Sequence, residues 1–474
     1  MAAVIGAMLA ARLVVGALAP LSEDEAYYRL WSLKPAFGYF DHPPMIAWQI
    51  WLGRRLAGDT PLGVRLIPIL GATLASLATF DLARAAGLGE RIGARAAIWL
   101  NATLLIGLGG ELAVPDQPNT LFWTLALACA FRGARGRPAW WLGAGAAAGL
   151  ACLSKYSALF LAPGVLIWLA SAPDGRKTLR TPWPWLAAVI AGAVFAPNIA
   201  WNAQHGWMTF AKQFGRVRAS GLDLGYLGKL ALDQLVLLNP LIAVFLGLGV
   251  ARRAAWPLIL ISAPFAAYLV IHSLHDEVQG QWPAPLYPSL MVIAASAAEG
   301  ARGWLARLRT TAPWIGFAAF GAGMALVLAP DLGALPFRDP ARDYRDWPAF
   351  LAATEEARRT AGAAWIGTPT YGLAAQLAAA RQVHAPVAQL YQRQRYTFET
   401  PAERADFTRP GLVIGAMRDL GPYAAGRCFD DVEMLPNLQR GEGRSAVVYR
   451  VYRVARPRSD VERQGCYRPP APNR

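Results

Sequence analysis

Apolar runs of membrane-spanning length recur along this chain and constrain its fold more than any other feature. A transmembrane helix needs about 20 mostly apolar residues, and five stretches approach that length: 62–80, 185–200, 235–250, 256–271 and 314–329. The 474 residues are 55% hydrophobic and only 16% charged, which is too apolar for a soluble protein of this size. The sequence therefore predicts a polytopic α-helical membrane protein.

Hydropathy indicates about eleven spans, at roughly 2–21, 62–80, 94–110, 117–131, 139–153, 156–171, 184–200, 229–250, 256–272, 284–299 and 313–330. The loops that are rich in arginine fall on one side of that count, which makes this side and the N-terminus cytoplasmic. The net charge of +15 is thereby explained by topology. No basic run is interleaved with aromatic residues, so we expect no nucleic-acid partner.

The composition changes near residue 331, where charged residues become frequent and apolar runs shorten to strand length. We predict a transmembrane catalytic domain at 1–330 and a soluble α/β domain at 331–474. Predicted strands lie at 364–367, 411–417 and 446–454, predicted helices at 347–359 and 371–380, and a disordered end begins at Arg456. Cys428 and Cys466 could form a disulfide outside the cytoplasm. Cys129 and Cys152 are predicted to be small buried apolar residues.

Three acidic residues, Glu23, Asp24 and Glu25, directly follow the first span. They could simply start a helix, because Ser22 is a good N-cap and acids favour the positive end of the helix dipole. Alternatively, one of them is a carboxylate base that deprotonates an acceptor hydroxyl at the membrane surface. The residues alone leave these two readings equally open.

The next two turns on the same predicted face carry Glu111, Asp116 and Lys155. Asp116 could be a helix N-cap in a Pro-punctuated turn, or a second acid of the site. Lys155 lies between two apolar spans, where it either snorkels to the surface or contacts a phosphate. The concentration of unusual polar residues on one face predicts a single reaction centre at the outer membrane surface.

Histidines raise the question of a metal. His272 and His275 lie close to two acids, Asp276 and Glu277, but their spacing matches no compact zinc signature. We expect no required cofactor, and the sequence leaves a divalent metal open. His205 is more typical of an interfacial residue than of a ligand.

The motifs together resemble the GT-C glycosyltransferases, in particular the bacterial protein O-mannosyltransferases and lipid A aminoarabinose transferases. The resemblance covers about residues 20–300. It is carried by Asp24-Glu25-Ala26-Tyr27-Tyr28, Gly38-Tyr39-Phe40-Asp41-His42-Pro43-Pro44, Asp116, Gly149-Leu-Ala-Cys-Leu-Ser-Lys155, Pro197-Asn198-x-x-Trp201-Asn202 and Gln281-Trp282-Pro283-Ala284-Pro285. His42 stands where aminoarabinose transferases carry Lys, and Gln281 stands where relatives often carry Asn or Arg.

This resemblance implies an inverting transfer of a sugar from a polyprenyl-phosphate donor to a glycan, lipid (such as lipid A) or protein acceptor. The reaction would occur on the periplasmic face of the bacterial inner membrane. The implied catalytic residues are Asp24, Glu25 and Asp116, and the implied phosphate ligands are Lys155 and His42. Other implied substrate contacts are Tyr27, Tyr28, Tyr39, His205, Gln281 and Trp282. The alternative is a lipid or glycolipid transporter, which would place ionisable residues deep within the spans. Only Arg12 and Arg65 do so here.

Overall fold

The computed structural model describes residues 1–215, 221–329, 339, 341–400, 404–421, 425–443 and 446–458. It divides into two compact units. The first unit comprises Met1–Ala17 and Asp41–Ala325, and the second comprises Leu18–Phe40 and Leu326–Arg474. The segment 18–40 thus groups with the C-terminal part of the chain, whereas the sequence placed it in a domain at 1–330.

The first unit is helical. Its helices are α1 (Ala2–Leu18, which ends at the unit boundary), α3 (Met45–Ala57), α4 (Pro61–Ala85), α5 (Glu90–Asn101), α6 (Leu104–Gly109), α7 (Asp116–Ala134), α8 (Trp140–Ser154), α9 (Leu161–Ser171), α10 (Pro173–Leu179), α11 (Trp183–Gln204), α12 (Met208–Phe214), α13 (Leu224–Leu238), α14 (Pro240–Val250), α15 (Trp256–His272), α16 (Tyr287–Ala298) and α17 (Trp304–Leu328). The short helix α3 falls in the loop that follows the first predicted span.

Each of the eleven predicted spans is mostly helical over its described residues. In the described part of the chain, 4 helices are long and apolar enough to cross a membrane, or up to 6 if each bent helix pair is one span. Three further apolar helices of 10–17 residues are shorter than that, at Trp140–Ser154, Tyr156–Ser171 and Ala284–Ala298. The chain is therefore a multi-pass helical membrane protein.

Two predicted spans are broken in the structure. The predicted span 94–110 is divided between α5 and α6, and 229–250 is bent by 106° between α13 and α14. The second break lies at Asn239, whose φ of 78° is left-handed and which precedes a proline. The Asn239 side-chain amide donates to the backbone oxygens of Ala102 (3.3 Å) and Ala312 (2.9 Å). The Asn239 side-chain oxygen also accepts from the backbone N–H of Leu241 (3.1 Å), so this side chain bonds the start of α14 and connects the break to neighbouring elements.

Two buried arginines lie inside the first unit. The guanidinium of Arg12 donates to the backbone oxygens of Ile106 (2.7 Å) and Gly107 (3.1 Å) in α6, and that of Arg65 donates to the backbone oxygen of Gly16 (3.3 Å). Intramembrane charges commonly pair with backbone carbonyls in this way. Both contacts give these arginines a structural role in helix packing.

The second unit contains a five-stranded sheet with the order β2-β1-β3-β5-β4. The strands are β1 (Trp365–Thr368), β2 (Val387–Gln389), β3 (Gly411–Ala416), β4 (Phe429–Arg440) and β5 (Val447–Pro457), and the helices are α2 (Glu23–Leu33), α18 (Trp347–Thr360) and α19 (Tyr371–Ala379). Strand β1 pairs in parallel with β2 and β3, whereas β5 pairs antiparallel with β3 and β4. This confirms the predicted C-terminal α/β structure.

Two strands were missed by the sequence analysis. Strand β2 has 3 residues, too few to show a periodic pattern. Strand β4 lies at the edge of the sheet and is largely exposed, with a register irregularity between Leu435 and Leu438. Pro436 falls inside that irregularity, where a proline is tolerated in an edge strand. The weak apolar alternation of β4 follows from its exposure.

Cys428 is disulfide-bonded, whereas Cys129 and Cys152 are free. Cys466, the partner that the sequence suggested, lies outside the described residues, as does the predicted disordered end from residue 459 onwards. The first two residues of that predicted end, Arg456 and Pro457, belong to strand β5 instead. We predict that maleimide-polyethylene glycol modifies two cysteines of the unfolded chain without reductant and all 4 after reduction. Reduction is expected to lower the free energy of unfolding of this unit by about 2–4 kcal/mol.

The matched control is Cys428→Ser. This variant lacks the disulfide and frees its partner thiol, so we expect the same number of cysteines to be labelled with and without reductant. Modification of three or four cysteines in the unreduced wild-type chain would contradict the disulfide.

Candidate active site

Lys155 and Asp116 form an ion pair in the first unit. The Lys155 ammonium donates to the Asp116 carboxylate at 2.6 Å, and their side chains are 13% and 9% exposed. Asp116 is the first residue of α7 and Lys155 follows the last residue of α8, so each charge lies at the helix end whose dipole favours it. The structure thus brings together two of the predicted site residues, 39 positions apart.

Lys155 lines a cavity of about 170 Å³. The rest of its wall is mostly aromatic, with Trp282 and Tyr268 among the lining residues, and the ammonium lies 5.8 Å from the Trp282 ring centre. A cation among aromatic side chains can bind an anionic group that carries apolar substituents. The chemistry of this cavity therefore suits a phosphate attached to a lipid.

A buried hydrogen-bond network supports the turn that carries Lys155. The Tyr156 hydroxyl donates to the Asn198 side-chain oxygen (2.8 Å) and accepts from the Asn202 amide (3.1 Å). The Asn202 oxygen in turn accepts from the backbone N–H of Thr209 (3.2 Å). The sequence predicted no role for these residues, although two asparagines four positions apart in an apolar helix are a signal of such a network.

His42 lies half-buried just before α3. The preceding residue, Asp41, accepts a hydrogen bond through its backbone oxygen from the side chain of Gln213, which also lines the Lys155 cavity. The His42 segment is thus tied to one wall of that cavity. A phosphate-binding role for His42 stays a prediction.

Gln281 and Trp282 form a small polar cluster with Gln279. The Gln281 amide and the Trp282 indole both donate to the Gln279 side-chain oxygen, at 3.0 and 3.1 Å. Trp282 lines the Lys155 cavity, and substrate contact by Gln281 and Trp282 stays a prediction. His205 is exposed and stacks on Trp201, with ring centres 4.0 Å apart, which is typical of an interfacial histidine.

Glu25, in the second unit, completes a capping box. Its backbone N–H donates to the Ser22 hydroxyl (3.3 Å), and its carboxylate accepts from the Ser22 backbone N–H (3.0 Å). The contact accounts for an acid at this position through helix capping. The predicted supporting role of Glu25 in catalysis stays a prediction.

Asp24 faces a second cavity, of about 680 Å³, within the second unit. Its carboxylate accepts a hydrogen bond of 2.7 Å from the Tyr371 hydroxyl at the start of α19. Tyr371 is itself held by the Tyr396 hydroxyl, which donates to its backbone oxygen at 2.8 Å. Asp24 is therefore a positioned carboxylate at the wall of a polar cavity.

Glu23 lies half-buried beside Asp24 and packs against Gly372. A Cβ atom added to Gly372 would lie 2.2 Å from the Glu23 carboxylate, so any larger residue at this position would clash with Glu23. Burial raises the pKa of Glu23 to about 7, although the positive charge of Arg440 partly offsets this. An acid with a pKa raised from 4.5 holds its proton more tightly in the folded state, so stability falls as pH rises from about 4.5 to 7.

We predict that Glu23→Gln abolishes this part of the pH dependence and makes the protein more stable than wild type above pH about 7. The thermal midpoint of the detergent-solubilised chain, measured from pH 4.5 to 8, tests this. Glu356→Gln, a change at a 64% exposed side chain of α18, is the control and should keep the wild-type pH profile. Parallel profiles for wild type and Glu23→Gln would refute the assignment.

The predicted aromatic substrate contacts are buried in the second unit. Tyr27 is 1% exposed and its hydroxyl donates to the backbone oxygen of Arg395 (2.9 Å). Tyr39 is 3% exposed and stacks on Trp31, with ring centres 4.3 Å apart. Tyr28 packs edge-on against the same tryptophan. These contacts form an aromatic core around α2, and contact with substrate stays a prediction.

Asp24 and the Asp116–Lys155 pair fall in different compact units. The single reaction centre that the sequence suggested stays a prediction. Among the described residues, no group of three or more His, Cys, Asp or Glu side chains is placed to hold a metal ion.

Part of this chain is similar to known proteins. Residues 41–201 match the family model described as dolichyl-phosphate-mannose-protein mannosyltransferase. The lipid A galacturonosyltransferase RgtD of Rhizobium johnstonii is 32% identical over 187 residues, which cover 38% of this chain and 38% of that protein. The matched segment thus spans less than two-fifths of that relative's length.

Two crystal structures of ArnT from Cupriavidus metallidurans, one bound to undecaprenyl phosphate and one in the apo state, share the fold of this chain. Their TM-scores are 0.66 and 0.65, and each comparison covers 95% of this chain and 97% of ArnT. At 15% and 16% identity this likeness concerns the fold alone. The family match over residues 41–201 and the fold shared over nearly the whole chain confirm the resemblance to the GT-C glycosyltransferases.

Proposed function

We propose that this protein transfers a sugar from a polyprenyl-phosphate donor to an acceptor hydroxyl, with inversion at the anomeric carbon. The observation that carries the proposal is the partly buried Lys155 ammonium, held by Asp116, in an aromatic-lined cavity of a membrane-spanning unit. The family match of residues 41–201 includes both residues, and ArnT, which shares the fold, has been crystallised with undecaprenyl phosphate.

An apolar cavity of about 300 Å³ could accommodate part of the donor's lipid tail. It is lined mainly by small and aliphatic residues of α7, α8, α9 and α11, including Cys152, three positions before Lys155, together with three aromatic residues, Trp141, Trp185 and Phe195. Its lining is almost wholly apolar, as an isoprenoid chain requires. In this proposal the tail packs against apolar helices while the phosphate binds Lys155, and His42 is a second phosphate ligand.

The reaction needs a base and a stabilised leaving group. The acceptor hydroxyl transfers its proton to Asp24 as its oxygen attacks the anomeric carbon, and the bond from that carbon to the phosphate oxygen breaks. The electron pair leaves with the polyprenyl phosphate, whose developing charge Lys155 stabilises. Asp116 orients Lys155, and no nucleotide takes part.

The topology proposed with this reaction has eleven spans, a cytoplasmic N-terminus and a periplasmic second unit, in the inner membrane of a bacterium. A helix that is too short to cross the membrane alone would form one bent span together with a neighbouring helix, as α13 and α14 do at Asn239. The acceptor is proposed to be a lipid A or other envelope glycan, a lipid or a protein.

The test supplies membranes that contain the wild-type protein with a panel of radiolabelled polyprenyl-phosphate sugars. Label is followed into endogenous acceptors and free polyprenyl phosphate is quantified, with membranes that lack the protein as the control. Transfer with equimolar release of polyprenyl phosphate supports the proposal. Movement of the intact labelled donor across the bilayer, without transfer, would instead support a transporter.

A further inference from the structure

The sheet of the second unit has a topological switch point between β1 and β3. The chain leaves β1 through α19 to reach β2 on one side, then returns past β1 to β3 on the other. The connection after β3 leads further to that other side, to β4 and β5. Neighbouring parallel strands whose following connections diverge leave a crevice at their carboxyl ends, where ligands of such sheets bind.

The cavity of about 680 Å³ lies at this crevice. Its lining includes Thr370 and Tyr371, which follow β1, and Met417 and Arg418, which follow β3. Next to this crevice, Gly415 near the end of β3 approaches Pro369 closely, since a Cβ at Gly415 would lie 2.9 Å from the Pro369 ring. The volume falls in the range of about 300–1,000 Å³ that small-molecule sites occupy.

Arginines supply the positive charge of this crevice. Arg440 is 4% exposed and held rigidly: its guanidinium donates to the backbone oxygens of Arg342 (2.8 Å) and Arg345 (3.0 Å) and lies 4.2 Å from the Trp347 ring centre. Arg418 is 72% exposed, and its ion pair with Asp419 is long, at 3.4 Å. A fixed arginine and an adaptable one therefore line the same cavity.

Carboxylates face these arginines. Glu23 and Asp24 line the cavity with Asp343 and Asp419, and the latter two are paired with Arg342 and Arg418, which also line it. The charges of Arg440 and Arg418 both act on Glu23. Guanidinium groups bind phosphate and carboxylate through paired hydrogen bonds, whereas carboxylates accept hydrogen bonds from hydroxyl groups. The complementary ligand is rich in hydroxyls and carries an anionic substituent.

We propose that this crevice binds an anionic saccharide, a sugar bearing phosphate or carboxylate, as the polar head of the acceptor. Arg418 and Arg440 bind the anionic group, and a sugar hydroxyl lies towards Asp24. This assignment rests on the proposed function, because it identifies the acceptor hydroxyl that Asp24 would deprotonate. The binding itself is measurable without turnover.

The experiment measures equilibrium binding to the purified full-length protein in detergent by isothermal titration calorimetry. The ligands are glucosamine 1-phosphate, galacturonate, neutral galactose and inorganic phosphate. We expect at least one anionic sugar to bind about tenfold or more tightly than galactose and inorganic phosphate, since contacts to both the charge and the hydroxyls contribute. The tighter of the two anionic sugars identifies phosphate or carboxylate as the preferred group.

Arg418→Gln is expected to weaken binding of the anionic sugar about tenfold and leave that of galactose unchanged. Because Arg418 is exposed, this variant should fold, which gel filtration checks. Arg359→Gln, at a 64% exposed position of α18 outside the cavity, is the charge-matched control and should bind as wild type does.

Equal affinity for anionic and neutral sugars, or unchanged binding by Arg418→Gln, would overturn the crevice assignment. So would inorganic phosphate binding as tightly as the tighter of the two anionic sugars. None of these outcomes depends on donor transfer. Failure of the transferase proposal would appear separately, as selective sugar binding without transfer from any polyprenyl-phosphate donor.

Discussion

Replacing Lys155 by methionine is expected to reduce sugar transfer by about 10²–10³-fold, since removing one preorganised group that stabilises developing negative charge typically has this effect. Methionine keeps much of the length of the side chain and removes only its charge and hydrogen bonds. The loss should appear in kcat as well as in kcat/KM, because the ammonium stabilises the leaving phosphate most strongly as the bond breaks. Initial rates over a range of donor concentrations measure both.

Lys155→Met is also expected to destabilise the fold, and this loss of stability must be distinguished from the loss of catalysis. It leaves the Asp116 carboxylate, whose side chain is 9% exposed, without its cation. Breaking a buried pair in this way destabilises a protein by about 3–5 kcal/mol. The double variant Lys155→Met/Asp116→Asn removes both charges, so we expect it to recover folding but not transfer. Lys177→Met, at a 76% exposed side chain paired with Asp174, is the control and should be as active as wild type. A folded double variant with wild-type rates would refute the phosphate-binding role of Lys155.

The second large effect is expected at Asp24. Replacing a general base typically reduces the rate by about 10²–10⁴-fold, and we expect Asp24→Asn to reduce transfer within that range. Asparagine has nearly the same shape and keeps a side-chain oxygen that can accept the hydrogen bond of 2.7 Å from the Tyr371 hydroxyl. The variant should therefore reach the membrane in wild-type amounts, which quantitative immunoblotting checks before rates are compared.

Two further variants separate the chemistry of Asp24 from its positioning. Tyr371→Phe removes the hydrogen bond to Asp24 but leaves the carboxylate, so its loss of activity should be smaller than that of Asp24→Asn. Asp430→Asn removes an exposed carboxylate that is paired with Arg458 at 2.9 Å, and should have no effect. Asp24→Asn protein that is present at wild-type levels and transfers sugar at the wild-type rate would exclude Asp24 as the base.

The sequence predicted the helical segments well because the bilayer interior restricts the backbone of a spanning segment to few conformations. Backbone groups in hydrocarbon must be satisfied within the segment, so a long apolar run forms a helix whatever its neighbours are. Most of the described residues of all eleven predicted segments are helical for this reason. The breaks were missed because they depend on long-range partners: the amide of Asn239 is satisfied by carbonyls of Ala102 and Ala312, which lie far away in the sequence.

The residues of the candidate site likewise divide into those that the sequence predicted and those that only the structure revealed. Motifs in the sequence selected Asp24, Asp116 and Lys155, because charged residues beside membrane spans are costly and therefore conspicuous. Residue types alone left the role of Glu25 open between capping and catalysis. The hydrogen bonds with Ser22 show that it caps α2, and its catalytic role stays a prediction. The Tyr156–Asn198–Asn202 network and the crevice at β1 and β3 required the fold, since they join residues from separate elements.

By itself, then, the sequence determined that this is a multi-pass helical membrane protein with a C-terminal α/β structure, and where its chemically unusual residues lie. Both conclusions follow from local composition, because hydropathy and periodicity act over one helix or strand at a time. Only the tertiary structure decided which charges meet. The ion pair of Asp116 with Lys155 and the contact of Asp24 with Tyr371 join positions 39 and 347 apart, and such distant pairings arise from packing, which local patterns do not encode.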